Sequence, residues 1–273
     1  MSGKTHLDKP TERRVAVITG AASGIGAALA READARGFDL ALGDVQDIDT
    51  SSYRTAISSS LDVSDQAQMD RFATAVYGQF GRCDFLFNNA GIMRPGRSWD
   101  QSRDHWDKVI AVNFGGVVNG VRAFTSRMIE AGRPAHIINT ASLAGLVAAP
   151  GLGAYGVSKH AAVAFSETLS LDLQAAGAPI KVSVICPGAV NTEIMAAAAS
   201  AVTDDDAAKA TADEMHKGTK AVGASPDRVA KTVFDAVEAG QFWIRPLDEP
   251  VAGLEQRARQ IKSGEAPAFS GWS

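Results

Sequence analysis

Val15-Ala16-Val17-Ile18-Thr19-Gly20-Ala21-Ala22-Ser23-Gly24-Ile25-Gly26, residues 15 to 26, is the stretch whose reading decides the fold. Five strand-forming residues run into a glycine-punctuated turn, and an Ala-rich segment from Ile25 to Arg36 follows with helical character. Glycine in such a turn lets the backbone approach an anion. The helix behind it offers unpaired N–H groups and a positive dipole end to the same anion. A glycine pattern by itself is equally a structural turn, so its weight comes from what surrounds it.

Outward from this stretch, short apolar runs alternate with helical ones. Asp39–Gly43 and Ala56–Leu61 read as strands. Met69, Phe72, Ala73, Val76, Tyr77 and Phe80 recur at helical spacing, giving an amphipathic helix. Phe85–Asn88 reads as the next strand, followed by one long helical region from His105 to Ala131 and a strand at Ala135–Thr140. A helix from Ala154 to Ala176 leads into a strand at Lys181–Cys186. Repeated βαβ units predict a parallel sheet with helices on both faces, and right-handed crossovers confine it to the doubly wound α/β class, the Rossmann fold.

Composition narrows the possible partners. At 45% hydrophobic, 21% charged and a formal charge of −4, the 273-residue chain can bury a large core and carries no global positive field. Nucleic acid and anionic membranes are therefore not expected partners. No apolar run approaches the ~18–20 residues that span a bilayer, and the polar N-terminus lacks the apolar core of a secretory signal. Cys83 and Cys186 sit among strand formers and read as buried thiols. No Cys or His pair has ligand spacing, so no metal site is expected, and His105, His136 and His160 read as structural or solvated. A reducing cytoplasm is the simplest compartment. The expected layout is a polar extension over residues 1–13, one domain over 14–263 and a tail over 264–273. Within the domain, 191–225 is expected to be a mobile substrate lid, being rich in Ala, Asp and Thr and poor in bulky apolar residues.

Asp44 lies 18 residues beyond Gly26, at the end of the second strand. A carboxylate there accepts hydrogen bonds from the ribose hydroxyls of NAD and repels the 2′-phosphate of NADP; neither Ser23 nor Val45 is basic. The alternative is that Asp44 only caps the next element. Tyr155 and Lys159 stand four apart in a helical stretch, so both side chains emerge on one face, one turn apart. A free tyrosine titrates near ~10; a nearby ammonium favours the phenolate and would bring it toward the working range of an acid–base catalyst. A lone Tyr-x-x-x-Lys is most often a surface pair.

Taken together, the chain resembles the short-chain dehydrogenase/reductase family, in its single-domain, NAD-preferring form. The resemblance runs from Arg14 to Gly240. It rests on the Thr19–Gly26 turn, Asp62-Val63, Asn88-Asn89-Ala90-Gly91, Asn113, Ser142, Tyr155-Gly156-Val157-Ser158-Lys159 and Pro187-Gly188-Ala189-Val190-Asn191-Thr192, in that order. It implies that Gly20, Ser23, Gly24, Ile25 and Gly26 cradle the cofactor and Asp44 holds its ribose. Asp62 and Val63 would meet the adenine, Asn89 and Ala90 line the adenosine side, the Val190 backbone and Thr192 hydroxyl hold the carboxamide end of the nicotinamide, and Gly91, Pro187 and Gly188 complete the cofactor-binding set. It implies Tyr155 as acid–base catalyst, Lys159 on the nicotinamide ribose, Ser142 on the substrate oxygen, and Asn113 holding a water that links Lys159 to solvent. Asn88 would serve the sheet more than a ligand.

The implied reaction is NAD-linked interconversion of a secondary alcohol and a carbonyl compound. Met93, Leu143, Leu152, Ile194 and Met195 are expected to form the pocket wall, so a hydrophobic substrate fits. Arg94, beside Met93, reads as a solvated arginine or as a partner for a substrate carboxylate. Rival readings are an NADPH-dependent ketoacyl-type reductase, which Asp44 disfavours, and a non-catalytic dinucleotide sensor, which has no use for the catalytic set. Two departures from the family stand out: the segment between Asp44 and Asp62 is short and polar, predicting a truncated second helix, and Pro246–Lys262 extends beyond the common core. Val117, Val118, Val121 and Phe124, with Val163, Phe165, Leu169 and Leu171, place apolar residues on several faces of two helices. That pattern fits a homo-oligomer, a dimer or a tetramer.

Overall fold

The computed structural model describes residues 13–194, 198, 213, 217, 220, 223–247 and 252–269. Seven parallel strands form one sheet: β1 (Val15–Thr19), β2 (Asp39–Asp44), β3 (Ala56–Ser60), β4 (Phe85–Asn88), β5 (Ala135–Thr140), β6 (Ile180–Ile185) and β7 (Trp243–Ile244). Their spatial order is β3-β2-β1-β4-β5-β6-β7, so the strand order reverses between β1 and β4. A crevice opens at the carboxyl ends of the strands at such a reversal.

Alternation within the strands builds the two faces. Ala16 and Ile18 of β1, with Leu40 and Leu42 of β2, point to one side. Helix α1 (Gly24–Ala35) covers that side with Ala28, Leu29 and Ala33, and α6 (Pro226–Glu238) with Val229, Val233 and Phe234. Val15, Val17 and Ala41 point to the other side. There they meet Met69, Phe72 and Val76 of α2 (Gln66–Phe80), Phe124 and Met128 of α4 (Gly116–Ala131), and Leu169 and Leu173 of α5 (Gly153–Ala175). Arg36, just past α1, ties that helix to α6 through Asp235 at 2.5 Å and Glu238 at 2.8 Å. The remaining helices are α3 (Arg103–Ile110) and α7 (Ala252–Ser263).

Two sequence expectations change, and one element is new. The segment between β2 and β3 contains no helix, not a truncated one, because Val45–Thr55 is too short and polar to cover the sheet. The long helix expected over His105–Ala131 is broken by a π turn at Ala111–Gly115, where Gly116 sits so close to Val63 that a Cβ would lie 2.6 Å from its side chain. That turn swings Asn113 fully inward, as such bulges often do at functional sites. The new element is a two-residue strand at Trp243–Ile244, which extends the sheet beyond β6. The lid expected over 191–225 lies mostly outside the described residues, as does the tail beyond Phe269. The lid's two ends pair with each other, Asn191 N–H donating to the Ala224 carbonyl at 2.9 Å. Among the described residues, no helix is long and apolar enough to cross a membrane.

His136, on β5, is buried with a ring nitrogen 2.7 Å from Ser183 Oγ, whose hydroxyl donates to the Gln241 carbonyl. Burial, reinforced by the Lys181 charge, lowers its pKa to about 4 from the ordinary 6.5. Above pH 6.5 both folded and unfolded states hold it neutral; below 6.5 only the unfolded chain takes up the proton, until the folded state follows near 4. Stability should therefore fall as pH drops through that window, by about 3 kcal/mol in all. Urea unfolding from pH 7.5 to 4 should show this loss in the wild-type protein and a shallower one in His136→Asn.

Candidate active site

The crevice at the strand reversal is a cleft of about 1190 Å³. At its floor, Thr19 fastens the end of β1 to the end of β4: its hydroxyl accepts from Asn89 N–H at 3.0 Å and Ala90 N–H at 3.1 Å. Asn89 Nδ2 donates back to the Thr19 carbonyl at 3.1 Å, and Thr140 Oγ donates to Asn89 Oδ1 at 3.2 Å. The Asn89 side chain thus holds three strand ends together. Asn88 turns away and donates to Asn139 at 2.9 Å, the sheet role expected of it.

The glycine turn lies beside this floor. Gly20 and Gly24 adopt positive φ of 67° and 54°, a conformation costly for any residue with a Cβ. Gly26 is required for a different reason: a Cβ there would stand 1.9 Å from the Gly20 carbonyl oxygen. Helix α1 starts at this point with Ser23 making no side-chain cap. Elsewhere Asp65, Ser102 and Ser225 cap α2, α3 and α6 through their side chains. The start of α1 lines the cleft through Ser23, Gly24 and Ile25 with no side chain capping it, which suits an anion.

The structure shows Asp44 in the capping role considered for it. One carboxylate oxygen accepts from Ala22 N–H and the other from Gln46 N–H, each at 3.0 Å, so it braces the glycine turn and caps its own. A carboxylate has about four acceptor directions, so room remains for ribose hydroxyls. Asp62 also lines the cleft, its carboxylate bonded to Ser64 Oγ at 2.6 Å and 3.5 Å from the Lys108 ammonium. The Ser64 hydrogen bond leads in lowering its pKa.

At the other end, Ser142, Tyr155 and Lys159 come together, all buried. Lys159 Nζ donates to the Thr140 carbonyl at 2.9 Å and stands 5.7 Å from the Tyr155 ring centre. Ser142 Oγ accepts from Ala144 N–H at 3.2 Å and donates to the Pro187 carbonyl at 3.4 Å. Burial pushes the Tyr155 phenol above its ordinary pKa, and its hydrogen bond with Ser142 opposes the rise. Burial lowers Lys159 to about 8. This differs from the expectation that Lys159 brings the phenol down: burial sets the direction, and the opposing effect is the Ser142 hydrogen bond.

Asn113 does not line the cleft. Its Oδ1 accepts from Ile92 N–H at 2.8 Å, and its Nδ2 donates to the Ile92 carbonyl at 2.9 Å and to Ser158 Oγ at 3.0 Å. It flanks Gly91 together with Lys159: a Cβ there would meet Asn113 Oδ1 at 3.3 Å and Lys159 Nζ at 3.4 Å. Gly26 lies beneath the turn. The other residues expected at the site line the cleft: Gly20, Ser23, Gly24, Ile25, Asp44, Asp62, Val63, Asn89, Ala90, Gly91, Pro187, Gly188, Val190 and Thr192 on the nucleotide side, and Met93, Ser142, Leu143, Leu152, Tyr155, Lys159 and Ile194 at the far end. Met195 lies outside the described residues. Ala198 is described, and it is buried against Met93, Leu152 and Tyr155.

Three contributors were not foreseen. Thr140 supplies the carbonyl for Lys159, and Ser158 links Asn113 to the Tyr155 backbone carbonyl, to which it donates at 2.7 Å. Gln101, 53 residues upstream, caps α5 in place of a local side chain by accepting from Ala154 N–H at 3.1 Å. Only Ser158, inside the Tyr–Lys motif, carried a local signal.

With this geometry in hand, the chain belongs to the short-chain dehydrogenases: the short chain dehydrogenase family profile matches residues 14–203. It is thus an oxidoreductase of that family. It is 36% identical over 261 residues to the putative oxidoreductase SadH of Mycobacterium tuberculosis, with 92% of this chain and 90% of that protein covered. It is 35% identical over 240 residues to the probable oxidoreductase EphD of the same organism; 84% of this chain matches, but it spans only 40% of EphD. Among solved structures, a short-chain dehydrogenase/reductase from Burkholderia phymatum in complex with NAD superposes with a TM-score of 0.90 at 33% identity, covering 97% of this chain and 99% of that one.

Proposed function

We propose that the protein is an NAD-dependent dehydrogenase that interconverts an apolar secondary alcohol and its carbonyl partner, with Tyr155 as general acid–base. The observation that carries this reading is the buried Ser142–Tyr155–Lys159 cluster at the end of a cleft whose other end is an uncapped helix beside a strand-end carboxylate.

The cleft suits a dinucleotide. Gly20, Gly24 and Gly26 open the backbone where a pyrophosphate would approach, and Asp44 stands where an adenosine ribose would end. Support for NAD over NADP comes from the Asp44 carboxylate and from the Burkholderia structure, which holds NAD. A bound nicotinamide accepts or donates the hydride. In the oxidation direction the substrate's C–H electron pair leaves as hydride, its O–H proton passes to the Tyr155 oxygen, and a C=O bond remains. In reduction the phenol returns that proton, and the raised pKa of Tyr155 favours the protonated form that does so. Ser142 orients the substrate oxygen, Lys159 supplies positive charge beside the phenol, and Asn113, across Gly91 from Lys159, would hold a water that links Lys159 to solvent. Met93, Leu143, Leu152 and Ile194 supply an apolar wall. The oligomer reading rests on Val157 and Leu171 of α5 and Ile129 of α4, which are exposed.

The test is NADH formation across a panel of apolar secondary alcohols, with NAD and NADP side by side. Turnover with NAD above NADP supports the reading. Silence with every alcohol, or a preference for NADP, defeats it. Asp44→Ala sharpens the test. Its loss should lower kcat/KM for NAD by ~10-fold or more, since a hydrogen bond to a charged group is at stake. NADP should gain little, because Ala22 and Gln46 N–H lose their acceptor and the turn loosens for both cofactors. A clean switch to NADP would show that bracing the turn is unimportant.

A further inference from the structure

We propose that Arg94 is an anion-recognition residue in the substrate end of the cleft, so that the substrate is an apolar hydroxy acid whose carboxylate pairs with it. This rests on the dehydrogenase reading above and names the substrate class of the same site. Arg94 lines the cleft next to Met93, which packs in the apolar cluster around Tyr155 and Leu152.

Arg94 is partly buried as a residue and, among the described residues, forms no ion pair with a carboxylate, those of Asp44, Asp62 and Glu193 in the cleft included. Neighbouring cations are matched: Arg97 pairs with Asp100 at 2.7 Å, Arg103 with Asp107 at 2.8 Å, and Lys108 with Asp62 at 3.5 Å. An arginine keeps its charge at every working pH, and its planar fork of donors fits a carboxylate with two parallel hydrogen bonds. Partly removed from water, such a group gains most from an acceptor that arrives with the ligand.

The loop that carries Arg94 is fastened to the helix that carries Tyr155. Gln101 Nε2 donates to the Arg94 carbonyl at 3.3 Å and to the Gly96 carbonyl at 3.2 Å, while its Oε1 holds Ala154 N–H of α5. Gly96 N–H donates to the Gly151 carbonyl at 2.8 Å, beside the start of α5. The backbone that carries Arg94 is thus tied to the start of α5, and Arg94 and Tyr155 line one cleft together with the apolar Met93 and Leu152, which suits a molecule with a carboxylate at one end and a carbinol at the other.

The experiment is a binding titration of the NADH-loaded protein, which needs no turnover. Octanoate, decanoate and cyclohexanecarboxylate are each compared with the corresponding amide, by change in NADH fluorescence. The wild-type protein should bind each carboxylate ~10-fold more tightly than its amide. In Arg94→Gln that ratio should fall to about one, and Arg94→Lys, which keeps charge without the fork, should retain part of it. Equal binding of acid and amide by the wild type, no carboxylate binding at all, or a preference that survives in Arg94→Gln overturns the proposal while leaving the dehydrogenase reading intact. Failure of the wild type to bind NADH overturns both. If Arg94→Gln does not fold, the wild-type ratio and Arg94→Lys decide.

Discussion

Tyr155→Phe should remove nearly all NAD-linked turnover, a loss of ~10²–10⁴-fold, while the protein still binds NADH. The substitution deletes one oxygen from a side chain that is 8% exposed and packed against Met93, Ala144 and Leu152, so ring packing is preserved. What disappears is the atom that exchanges a proton with the substrate oxygen and the hydrogen-bond partner of Ser142. Steady-state rates on any alcohol that the wild type oxidises, together with NADH titration of both proteins, check this. A dehydrogenase loses its rate and keeps its cofactor. A dinucleotide sensor has no use for the phenolic oxygen, so turnover absent from the wild type, with NADH binding equal in both proteins, would support the sensor. Retention of more than a tenth of the wild-type rate would place the acid–base group elsewhere.

The pairing of Tyr155 with Lys159 was legible because its spacing is local, whereas Ser142 and Asn113 were placed by the family resemblance. Tyr155 and Lys159 face one way through helix geometry alone, and the Gly20–Gly26 turn sits between a strand and a helix that announce themselves by period. What the sequence could not show was how each polar group is satisfied, since those partners arrive from distant strands. Thr140 meets Lys159, Ile92 meets Asn113, and Gln101 caps α5 across 53 residues. The pKa expectation for Tyr155 missed for the same reason: spacing reveals the neighbouring charge, but burial is a property of the assembled cleft. β7 was beyond reach, because two residues carry no period. α6 is different. Ser225 before Pro226, then Val229, Val233, Phe234 and Val237 at helical spacing, is a legible helix start that the sequence expectations do not include.

Gly26→Ala should weaken NADH binding by ~100-fold and destabilise the protein by about 1–3 kcal/mol, the range for forcing extra volume into a packed site. Its φ is ordinary, so the loss is one of space and not of backbone strain. The new methyl would overlap the Gly20 carbonyl oxygen at 1.9 Å and crowd Asn89 Nδ2 at 2.7 Å. Neither neighbour has freedom to withdraw: Gly20 follows Thr19, whose hydroxyl holds Asn89 and Ala90, and the Asn89 amide bonds the Thr19 carbonyl and Thr140. The turn must move as a unit, and with it the N–H groups at the start of α1. Gly78→Ala is the matched control. It sits inside α2 with nothing within 4 Å of the position a Cβ would take, and should stabilise by ~0.5–1 kcal/mol through helix propensity, with NADH binding unchanged. Thermal unfolding and NADH titration of the two variants separate a general glycine effect from a cradle effect. If Gly26→Ala binds NADH as the wild type does, the nucleotide does not rest on this turn, and the uncapped end of α1 needs another ligand.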